Sequence, residues 1–367
     1  MIEVKNLINT LKKNKIDFFT GVPDSILKNF STHLEKYPKK KHVIAANEGS
    51  ATSIGIGHYL SLKKIPCVYM QNSGLSNAIN PLISIAGKNI YSIPLFLLIG
   101  WRGSPNKPDE PQHVAKGKIT RSLLKLLKID FCIIRKEGDL KKLNTLIKKA
   151  YQKKRTVACL IEKDTLTTQK KTTKKNRSNF ILRSDFIKEF LKLIPKNSKI
   201  ISTTGYTSRE LMEVRKQTKN SNGKDFYMVG GMGHSSSVAL GCALNSKEQI
   251  FCLDGDGSML MHLGPLRTIG FLKSKNFKHI ILNNNSHESV GGQTTTAEGI
   301  NFQKLVTSVG YKNYYKITNY KNIRATLIKF IKVSGPILLE VKIQNKSLKN
   351  LSRPKNFIKI KENFIKN

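Results

Sequence analysis

The first 162 residues alternate short apolar runs with stretches in which apolar residues recur every three or four positions. Short apolar runs are typical of buried strands, and the longer period is typical of amphipathic helices. The N-terminal stretch MIEVKNLINTLKKNKIDFFTG predicts a helix that leads into a strand. Further strand candidates are HVIAA, PCVYM, IPLFLLIG, DFCIIR and TVACLIE. Strands that alternate with helices in this way predict a parallel α/β sheet.

The polar stretch KDTLTTQKKTTKKNRSN interrupts this alternation, which then resumes. Because the stretch lacks apolar periodicity, residues 163–180 are interpreted as a linker between two domains. The later strand candidates are KIISTTG, DFYMVGG, QIFCLDGDG, HIILNNN and PILLEVKI. The sequence therefore predicts α/β domains at residues 1–162 and 181–367, each with a doubly wound parallel sheet. A terminal helix is the only element predicted for the C-terminal tail.

The net charge of the 367 residues is +40, from 64 Lys and Arg against 24 Asp and Glu. A charge of this size raises the alternative of a basic nucleic-acid-binding protein. The lysines are nevertheless scattered between leucines at helical spacing, as in RSLLKLLKID, and no helix-turn-helix, zinc-finger or aromatic RNA-binding motif accompanies them. We therefore interpret the lysines as lying on solvated faces of helices and expect no nucleic-acid partner. The charge also favours an anionic substrate.

The cysteines and the apolar runs indicate the compartment. The five cysteines show no paired spacing, and most lie in or beside apolar runs. We therefore interpret the cysteines as buried thiols of a protein in the reducing cytoplasm. No run of eighteen apolar residues predicts a membrane span, and the N-terminus does not resemble a signal peptide. We expect a cytoplasmic protein without a membrane partner.

Two strand candidates of the second half end in oxygen-rich turns. QIFCL is followed by Asp254-Gly-Asp256-Gly-Ser258, and HIIL is followed by Asn283-Asn284-Asn285-Ser286. Twenty-five residues separate Gly257 from Asn283, enough for one helix and a return strand. Asp256 and Asn284 are therefore expected to converge at one edge of the sheet. A carboxylate, an amide oxygen and a carbonyl suit Mg²⁺, and the glycines allow the backbone to approach a phosphate closely.

This spacing of Gly-Asp-Gly and Asn-Asn resembles the thiamine diphosphate motif, and nearly the whole chain resembles the decarboxylase branch of the thiamine-diphosphate-dependent enzymes. The other motifs that carry the resemblance are GVPDS, ANEGSA, YMQNSGLSNAINPL, LLIGWRGSP, DEPQH, STTGYTSREL and NNNSHESVGGQT. The resemblance implies the thiamine-diphosphate-binding fold, with a pyrimidine-binding domain at residues 1–162, a diphosphate-binding domain at 181–367 and no middle domain. It also implies thiamine diphosphate and Mg²⁺ as cofactors, and at least a homodimer with the site between chains.

The resemblance further implies the roles of individual residues. Glu48 would bond the pyrimidine ring nitrogen and promote loss of the thiazolium proton, and Met232 would hold the cofactor bent. Strand-end exposure for Glu48 and core packing for Met232 are the structural alternatives. The implied cofactor contacts are Glu48, Thr204, Gly205, Gly230, Met232, Gly233, His234, Gly257 and Ser258. The implied metal ligands are Asp256, Asn284 and the carbonyl of Ser286.

Proton transfer is assigned to Asp24 and His113 by the resemblance. A helix cap for Asp24 and a solvent-exposed loop position for His113 remain open alternatives. An anionic substrate needs planar or clustered hydrogen-bond donors, which favours Arg102. Lys107 is nearby in sequence, His287 follows the metal end, and Ser25, next to Asp24, is a further candidate. For these four residues a surface salt bridge or a loop fold is the alternative.

The motifs look most like those of family members that decarboxylate 3-phosphonopyruvate to phosphonoacetaldehyde and CO₂ in phosphonate biosynthesis. The stretch HESVGGQ at residues 287–293 carries this preference. Sulfopyruvate, with the same skeleton and a sulfonate, is the alternative substrate. A carboligase that makes acetolactate-like products is a third alternative, although such relatives are usually longer and have a middle domain. The substrate is in either decarboxylase case a small 2-oxo acid with a second anionic group.

Overall fold

The structure is a computed structural model that describes residues 1–105, 107–167, 180–218 and 224–366. The chain divides into two compact units. Unit 1 comprises Met1–Thr173 and the short segment His287–Gln293, and unit 2 comprises Lys174–Ser286 and Thr294–Asn367. The division falls inside the segment predicted as a linker, of which residues 168–179 lie outside the described residues.

Unit 1 contains eight strands and six α-helices in its described part. The strands are β1 (Ile2–Glu3), β2 (Phe19–Gly21), β3 (His42–Ile44), β4 (Cys67–Gln71), β5 (Phe96–Gly100), β6 (Asp130–Ile134), β7 (Val157–Ile161) and β8 (Leu166–Thr167). The helices are α1 (Val4–Lys13), α2 (Lys28–Leu34), α3 (Glu48–Leu62), α4 (Leu75–Ser84), α5 (Pro111–Leu126) and α6 (Leu140–Lys153).

Six of these strands form one parallel sheet in the order β3-β2-β4-β5-β7-β6. One apolar cluster joins this sheet to α1, α2 and α6, and another joins its other face to α3, α4 and α5. Burial on both faces explains why strands such as β5 and β7 are apolar throughout. From β2 the chain first adds β3 on one side and then β4 on the other side of β2. The strand order therefore reverses between β2 and β4, and a crevice is expected beyond their carboxyl ends.

Unit 2 contains six strands and eight α-helices in its described part. The strands are β9 (Lys199–Ser202), β10 (Lys224–Tyr227), β11 (Ile250–Gly255), β12 (Phe277–Asn283), β13 (Asn313–Ile317) and β14 (Ile337–Lys342). The helices are α7 (Arg183–Leu193), α8 (Tyr206–Gln217), α9 (Ser235–Leu244), α10 (Asp256–Met261), α11 (Gly264–Leu272), α12 (Phe302–Ser308), α13 (Ile323–Lys332) and α14 (Phe357–Ile365).

The sheet of unit 2 is also parallel throughout, in the order β10-β9-β11-β12-β14-β13. Counted from the first strand of each sheet, both units therefore have the order 2-1-3-4-6-5. Helices α7, α8 and α13 cover one face of this sheet, and α9 to α12 with α14 contribute to the apolar cluster on the other. The corresponding crevice lies beyond the carboxyl ends of β9 and β11.

The prediction of two doubly wound parallel sheets without a middle domain is confirmed. At residues 163–167, however, the segment predicted as linker includes β8, which pairs with the N-terminal strand β1. The C-terminal tail forms α14, whose Phe364 packs against Phe226 at the edge strand β10. The five cysteines are free, and those at positions 67, 159 and 252 are buried. Among the described residues, no helix is long and apolar enough to cross a membrane.

Candidate active site

The carboxyl group of Glu48 is buried at the start of α3 in unit 1. Its side chain is only 5% exposed, and its Oε2 accepts a hydrogen bond of 2.8 Å from Asn77 Nδ2. Glycine is required at position 74, because a Cβ there would lie 2.0 Å from Glu48 Oε1. Burial raises the pKa of Glu48, against the opposing effects of Asn77 and of the Lys116 charge. Glu48 is therefore buried, and the alternative of a strand-end side chain in solvent is wrong.

Asp24 lies just beyond β2 and is fully buried. Its Oδ2 accepts hydrogen bonds from the backbone N–H groups of Ile26 and Leu27, at 3.1 and 3.0 Å, and its Oδ1 accepts one from Gln71 Nε2 at 2.6 Å. The side chain thus caps the turn that leads into α2, as one of the two sequence interpretations expects. Burial raises the pKa of Asp24 despite these hydrogen bonds and the nearby Arg102.

Arg102 is engaged by other side chains of unit 1. Its guanidinium forms a bidentate pair with Asp109, with a 2.6 Å bond from Nε, and its Nη1 donates to Ser25 Oγ at 3.1 Å. Burial alone would raise the pKa of Asp109, but Arg102 and two backbone N–H donors outweigh it and lower that pKa far below its usual range. The salt bridge fixes the loop after β5 and places a positive charge beside Asp24.

Helix α5 brings His113 and Lys116 to the same end of unit 1. A Cβ at Gly103 would lie 1.9 Å from the carbonyl oxygen of His113, so the first turn of α5 rests directly on the loop after β5. One turn later Lys116 is half-buried, and its charge acts on Glu48. Lys107 lies in an exposed part of the loop.

The segment His287–Gln293 clusters with unit 1. Its two ends are joined by a 2.7 Å bond from the His287 N–H to the Gln293 carbonyl, and Gln293 Nε2 donates to Thr32 Oγ1 at 3.1 Å. Burial lowers the pKa of His287 to about 4, so the imidazole is neutral at neutral pH.

In unit 2, Asp256 and Asn284 meet as expected. Strands β11 and β12 pair in parallel and end beside each other, and the backbone N–H of Asn284 donates to the Asp256 carboxylate. Asp256 Oδ2 also accepts a hydrogen bond from Thr295 Oγ1. Burial raises the pKa of Asp256, with these two donors opposing the shift. Asn284 Oδ1 accepts from the N–H of Ser286 at 3.0 Å, which folds the turn so that all three predicted metal ligands share it.

Ser258 connects the other turns of this edge. Its Oγ lies 2.9 Å from Thr203 Oγ1, after β9, and accepts a hydrogen bond of 3.1 Å from the Gly233 N–H. The first residues of α8, α9 and α10 follow these same turns. Helix starts present free N–H groups and a partial positive charge, the arrangement that binds diphosphate oxygens.

The glycines before α9 line an open surface. A Cβ added at Gly230 would meet no atom within 4 Å, whereas Gly231 and Gly233 have φ of +66° and +90°. Gly205, at the start of α8, has φ of +94°. Open space, left-handed backbone and the oxygen ligands at Asp256 together fit a magnesium-bound diphosphate. Met232 is half-buried beside this surface.

Alanine at position 233 is expected to lower both stability and cofactor affinity. Its Cβ would lie 2.5 Å from His262 Cδ2, and φ of +90° strains any residue with a side chain. A loss of about 1–3 kcal/mol in unfolding free energy follows from the strain alone. Urea unfolding and thiamine diphosphate titration of Gly233→Ala measure it, with Gly138→Ala, where a Cβ also meets no atom within 4 Å, as the matched control. Equal stability of the two variants would contradict this geometry.

Several residues of these clusters were not predicted from the sequence: Gln71, Asn77, Asp109, Lys116, His262 and Thr295. His262 stacks on His234, with ring centroids 4.7 Å apart. Asn77 and Gln71 both lie in the quoted motif YMQNSGLSNAINPL, so their motif was identified but not their partners. The sequence signal for Thr295 was weaker. Its contact with Asp256 depends on the isolated β-bridge between Ser286 and Thr294, which brings the chain back toward Asp256.

Comparisons with known proteins cover both units. Residues 4–122 match the family model described as the thiamine pyrophosphate enzyme N-terminal TPP binding domain, and residues 203–341 match that of the C-terminal TPP binding domain. Phosphonopyruvate decarboxylase of Streptomyces viridochromogenes is 29% identical over 97% of this chain and 92% of its own length. Sulfopyruvate decarboxylase of Methanosarcina acetivorans is 28% identical over 89% of this chain and 87% of its own. The beta subunit of sulfopyruvate decarboxylase of Methanococcus maripaludis is 30% identical over 42% of this chain and 80% of its own length.

Proposed function

Because the chain belongs to the thiamine pyrophosphate enzyme family, we propose that it decarboxylates 3-phosphonopyruvate to phosphonoacetaldehyde and CO₂. The observation that carries the chemistry is the buried, hydrogen-bonded carboxyl group of Glu48. Thiamine diphosphate, when bound, would supply the nucleophile and the electron sink that decarboxylation of a 2-oxo acid requires. The product would feed phosphonate biosynthesis.

Glu48 activates the cofactor in this proposal. Its Oε2 is occupied by Asn77, and its Oε1 lies against Gly74, so the carboxyl group is fixed and shielded from water. Its raised pKa suits a group that shares a proton with a ring nitrogen instead of remaining permanently ionised. We assign Glu48 to the pyrimidine ring for this reason.

The diphosphate and its Mg²⁺ belong to the edge of unit 2 described above. Asp256, the Asn284 side chain and the Ser286 carbonyl would hold the metal ion, because carboxylate, amide and carbonyl oxygens are its preferred ligands. The N–H groups and hydroxyls of Thr204, Gly205, Gly233, His234, Gly257 and Ser258 would bind phosphate oxygens. Gly230 and Met232 would border the aminopyrimidine and the bend between the rings.

Asp24 is our candidate for the proton donor. A fully buried carboxyl group whose pKa is raised can be protonated before the reaction and return the proton to the carbon that loses CO₂. Its two backbone hydrogen bonds make it a cap at the same time, so the structural and chemical roles coexist. His113, on the first turn of α5, is the second candidate.

The anionic tail of the substrate requires cations. Arg102 is bonded to Asp109 and Ser25, so we assign it to ordering the loop and to the local positive charge more than to a free bidentate clamp. Lys116 contributes a second positive charge near Glu48. Lys107 and the His287 segment remain candidates for contacts to the phosphonate.

The ratio of kcat/KM for phosphonopyruvate to that for sulfopyruvate tests the substrate. The relatives' names give two acids, phosphonopyruvate and sulfopyruvate, and the match with phosphonopyruvate decarboxylase over 97% of this chain favours the phosphonate. We expect at least a tenfold preference for phosphonopyruvate, and less turnover still with pyruvate, which lacks the second anion. A preference for sulfopyruvate would overturn this substrate but leave the cofactor chemistry intact.

We also propose a homodimer, with a second copy covering an apolar face of unit 1. The described residues of α3 and of the α4 region expose several large apolar side chains: Ile54, Leu60, Leu62, Ile83, Ile85, Ile90 and Tyr91. Patches of this kind mark interfaces between proteins. Leu60→Asp should lower the mass measured by light scattering toward that of a monomer and reduce activity. Leu126→Asp, at a leucine on α5 that is even more exposed than Leu60, is the control; a wild-type monomer with full activity would contradict the proposal.

A further inference from the structure

A cluster of metal-ligating side chains lies in the core of unit 2, separate from the turn that carries Asp256. Cys252 and Asp254 are two residues apart on β11, so both project from the same face of the sheet. His279 is the register partner of Cys252 on the neighbouring strand β12. One ligand atom from each of these three residues lies within 4.8 Å of the other two, and all three residues are buried.

Several polar atoms of this cluster lack a hydrogen-bond partner. Asp254 Oδ2 and His279 Nε2 lie 3.6 Å apart, too far for a hydrogen bond, and both are unsatisfied. The Ser235 hydroxyl, at the start of α9, lies beside the Cys252 thiol and has no oxygen or nitrogen partner. Buried polar atoms without partners are rare because each one is costly, so unsatisfied atoms gathered in one place indicate a missing ligand.

We propose that Cys252, Asp254 and His279 bind a structural zinc ion, with Ser235 as the remaining oxygen donor. Thiolate, imidazole and carboxylate are the ligands zinc prefers in tetrahedral sites. Atoms bound to one tetrahedral zinc ion lie roughly 3.3–3.8 Å apart, as bond lengths of about 2.0–2.3 Å require. The 3.6 Å between Asp254 Oδ2 and His279 Nε2 falls within this range.

The hydrogen bonds around the cluster use His279 Nδ1 and Asp254 Oδ1, and not the atoms that face the proposed ion. His279 Nδ1 lies 3.1 Å from the Tyr311 hydroxyl, so Nδ1–H can donate to Tyr311 while Nε2 keeps its lone pair for the metal ion. Asp254 Oδ1 accepts from the Gly255 N–H at 2.9 Å, which leaves Oδ2 for the ion. A thiolate, a carboxylate and a neutral imidazole carry two negative charges, which Zn²⁺ neutralises.

The position of the cluster suggests what the ion does. It would join β11, β12 and the start of α9 directly beneath the turns that carry Asp256 and Gly233. Because all the ligands are buried, the ion would enter as the unit folds, and its binding energy would stabilise the fold. Mg²⁺ at the Asp256 turn and zinc in the core would then be two metal sites with different ligand chemistry.

Elemental analysis of the holoprotein tests this proposal. Protein from zinc-supplemented cells, saturated with thiamine diphosphate and Mg²⁺ and then desalted, should retain one zinc ion per chain. Cys252→Ser and His279→Gln should lose most of it, whereas Cys242→Ser, at a half-buried cysteine on α9, should keep it. Zinc-free wild type, or equal zinc in Cys252→Ser, would overturn the site and leave a buried water as the occupant.

Cobalt substitution decides the matter if the variants do not fold. Wild-type protein refolded with Co²⁺ should show thiolate-to-cobalt charge-transfer absorption in the near ultraviolet, because the site includes Cys252. The absence of that band in folded, cobalt-treated wild type would equally exclude the proposal. Neither measurement depends on turnover, so failure of the zinc site and failure of the proposed decarboxylation are distinguishable.

Discussion

Glu48→Gln should lower kcat/KM for decarboxylation by about 10²–10⁴-fold, the range typical of a lost acid–base group. The amide has the shape of the carboxyl group and can keep a hydrogen bond with Asn77. It cannot accept or share a proton with the pyrimidine ring. The loss corresponds to about 3–5 kcal/mol of transition-state stabilisation.

The stability of the same variant separates lost chemistry from lost folding. Burial raises the pKa of Glu48, so the folded chain binds this proton more tightly than the unfolded chain. Folding therefore loses stability as pH rises from the unfolded pKa toward the folded pKa, and the penalty persists at neutral pH. Glutamine removes it, so the variant should unfold at or above the wild-type temperature at neutral pH, with the gain disappearing in acid.

The control for Glu48→Gln is Glu137→Gln. Glu137 Oε1 also accepts a 2.8 Å hydrogen bond from an asparagine amide, Asn6 Nδ2, but this pair is exposed. Its activity should match wild type. Glu48→Gln with wild-type kcat/KM would remove the proposed role of this carboxyl group, whatever its stability.

Asp256→Asn should lower the affinity for Mg²⁺ and thiamine diphosphate by at least about 100-fold, more than the usual effect of an outer-shell partner. Asparagine keeps the size of the side chain and one oxygen but removes the negative charge that neutralises the metal ion. Thr295 Oγ1 and the Asn284 N–H donate to the Asp256 carboxylate and hold this side chain in place, so the change is confined to charge and ligand strength.

A graded series makes the metal prediction sharper. Thr295→Val removes a partner of Asp256 without removing a ligand, so we expect a loss of about 10–100-fold. Asp185→Asn, at a half-buried position whose carboxylate accepts an exposed hydrogen bond from Tyr320, should have no effect. Calorimetric titration of Mg²⁺ at fixed cofactor concentration gives the three affinities. Asp256→Asn with wild-type affinity would mean that the Gly-Asp-Gly turn does not hold the metal ion.

Local sequence patterns predicted most of the fold. The apolar runs ending at Gln71, Gly100, Gly255 and Asn283 are strands, and the site residues follow them. Strand β13 was not predicted, because NYYKI is partly exposed at the sheet edge and lacks a continuous apolar run. Strand β8 was not predicted either, because its two residues are strand only through pairing with β1, more than 160 positions away.

The contacts within the site were less predictable. Arg102 was expected to bind an anion, and it does bind one, but Asp109 seven residues later is that anion. A sequence gives the charge of each residue and not which opposite charge folds back on it. Asp24 was left between a cap and a catalytic role; its burial and its hydrogen bonds identify it as a cap, and the catalytic role stays a prediction. The pairing of His262 with His234 depends on the path of α10, which no local pattern specifies.

The most direct test of the proposed function is ³¹P NMR of phosphonopyruvate incubated with the purified chain, with and without thiamine diphosphate and Mg²⁺. We predict conversion of the phosphonopyruvate signal into that of phosphonoacetaldehyde, together with an equimolar release of CO₂, only when both cofactors are present. Unchanged phosphonopyruvate in the presence of bound cofactor would contradict the assignment of this substrate. Conversion without the cofactors would contradict the proposed chemistry itself.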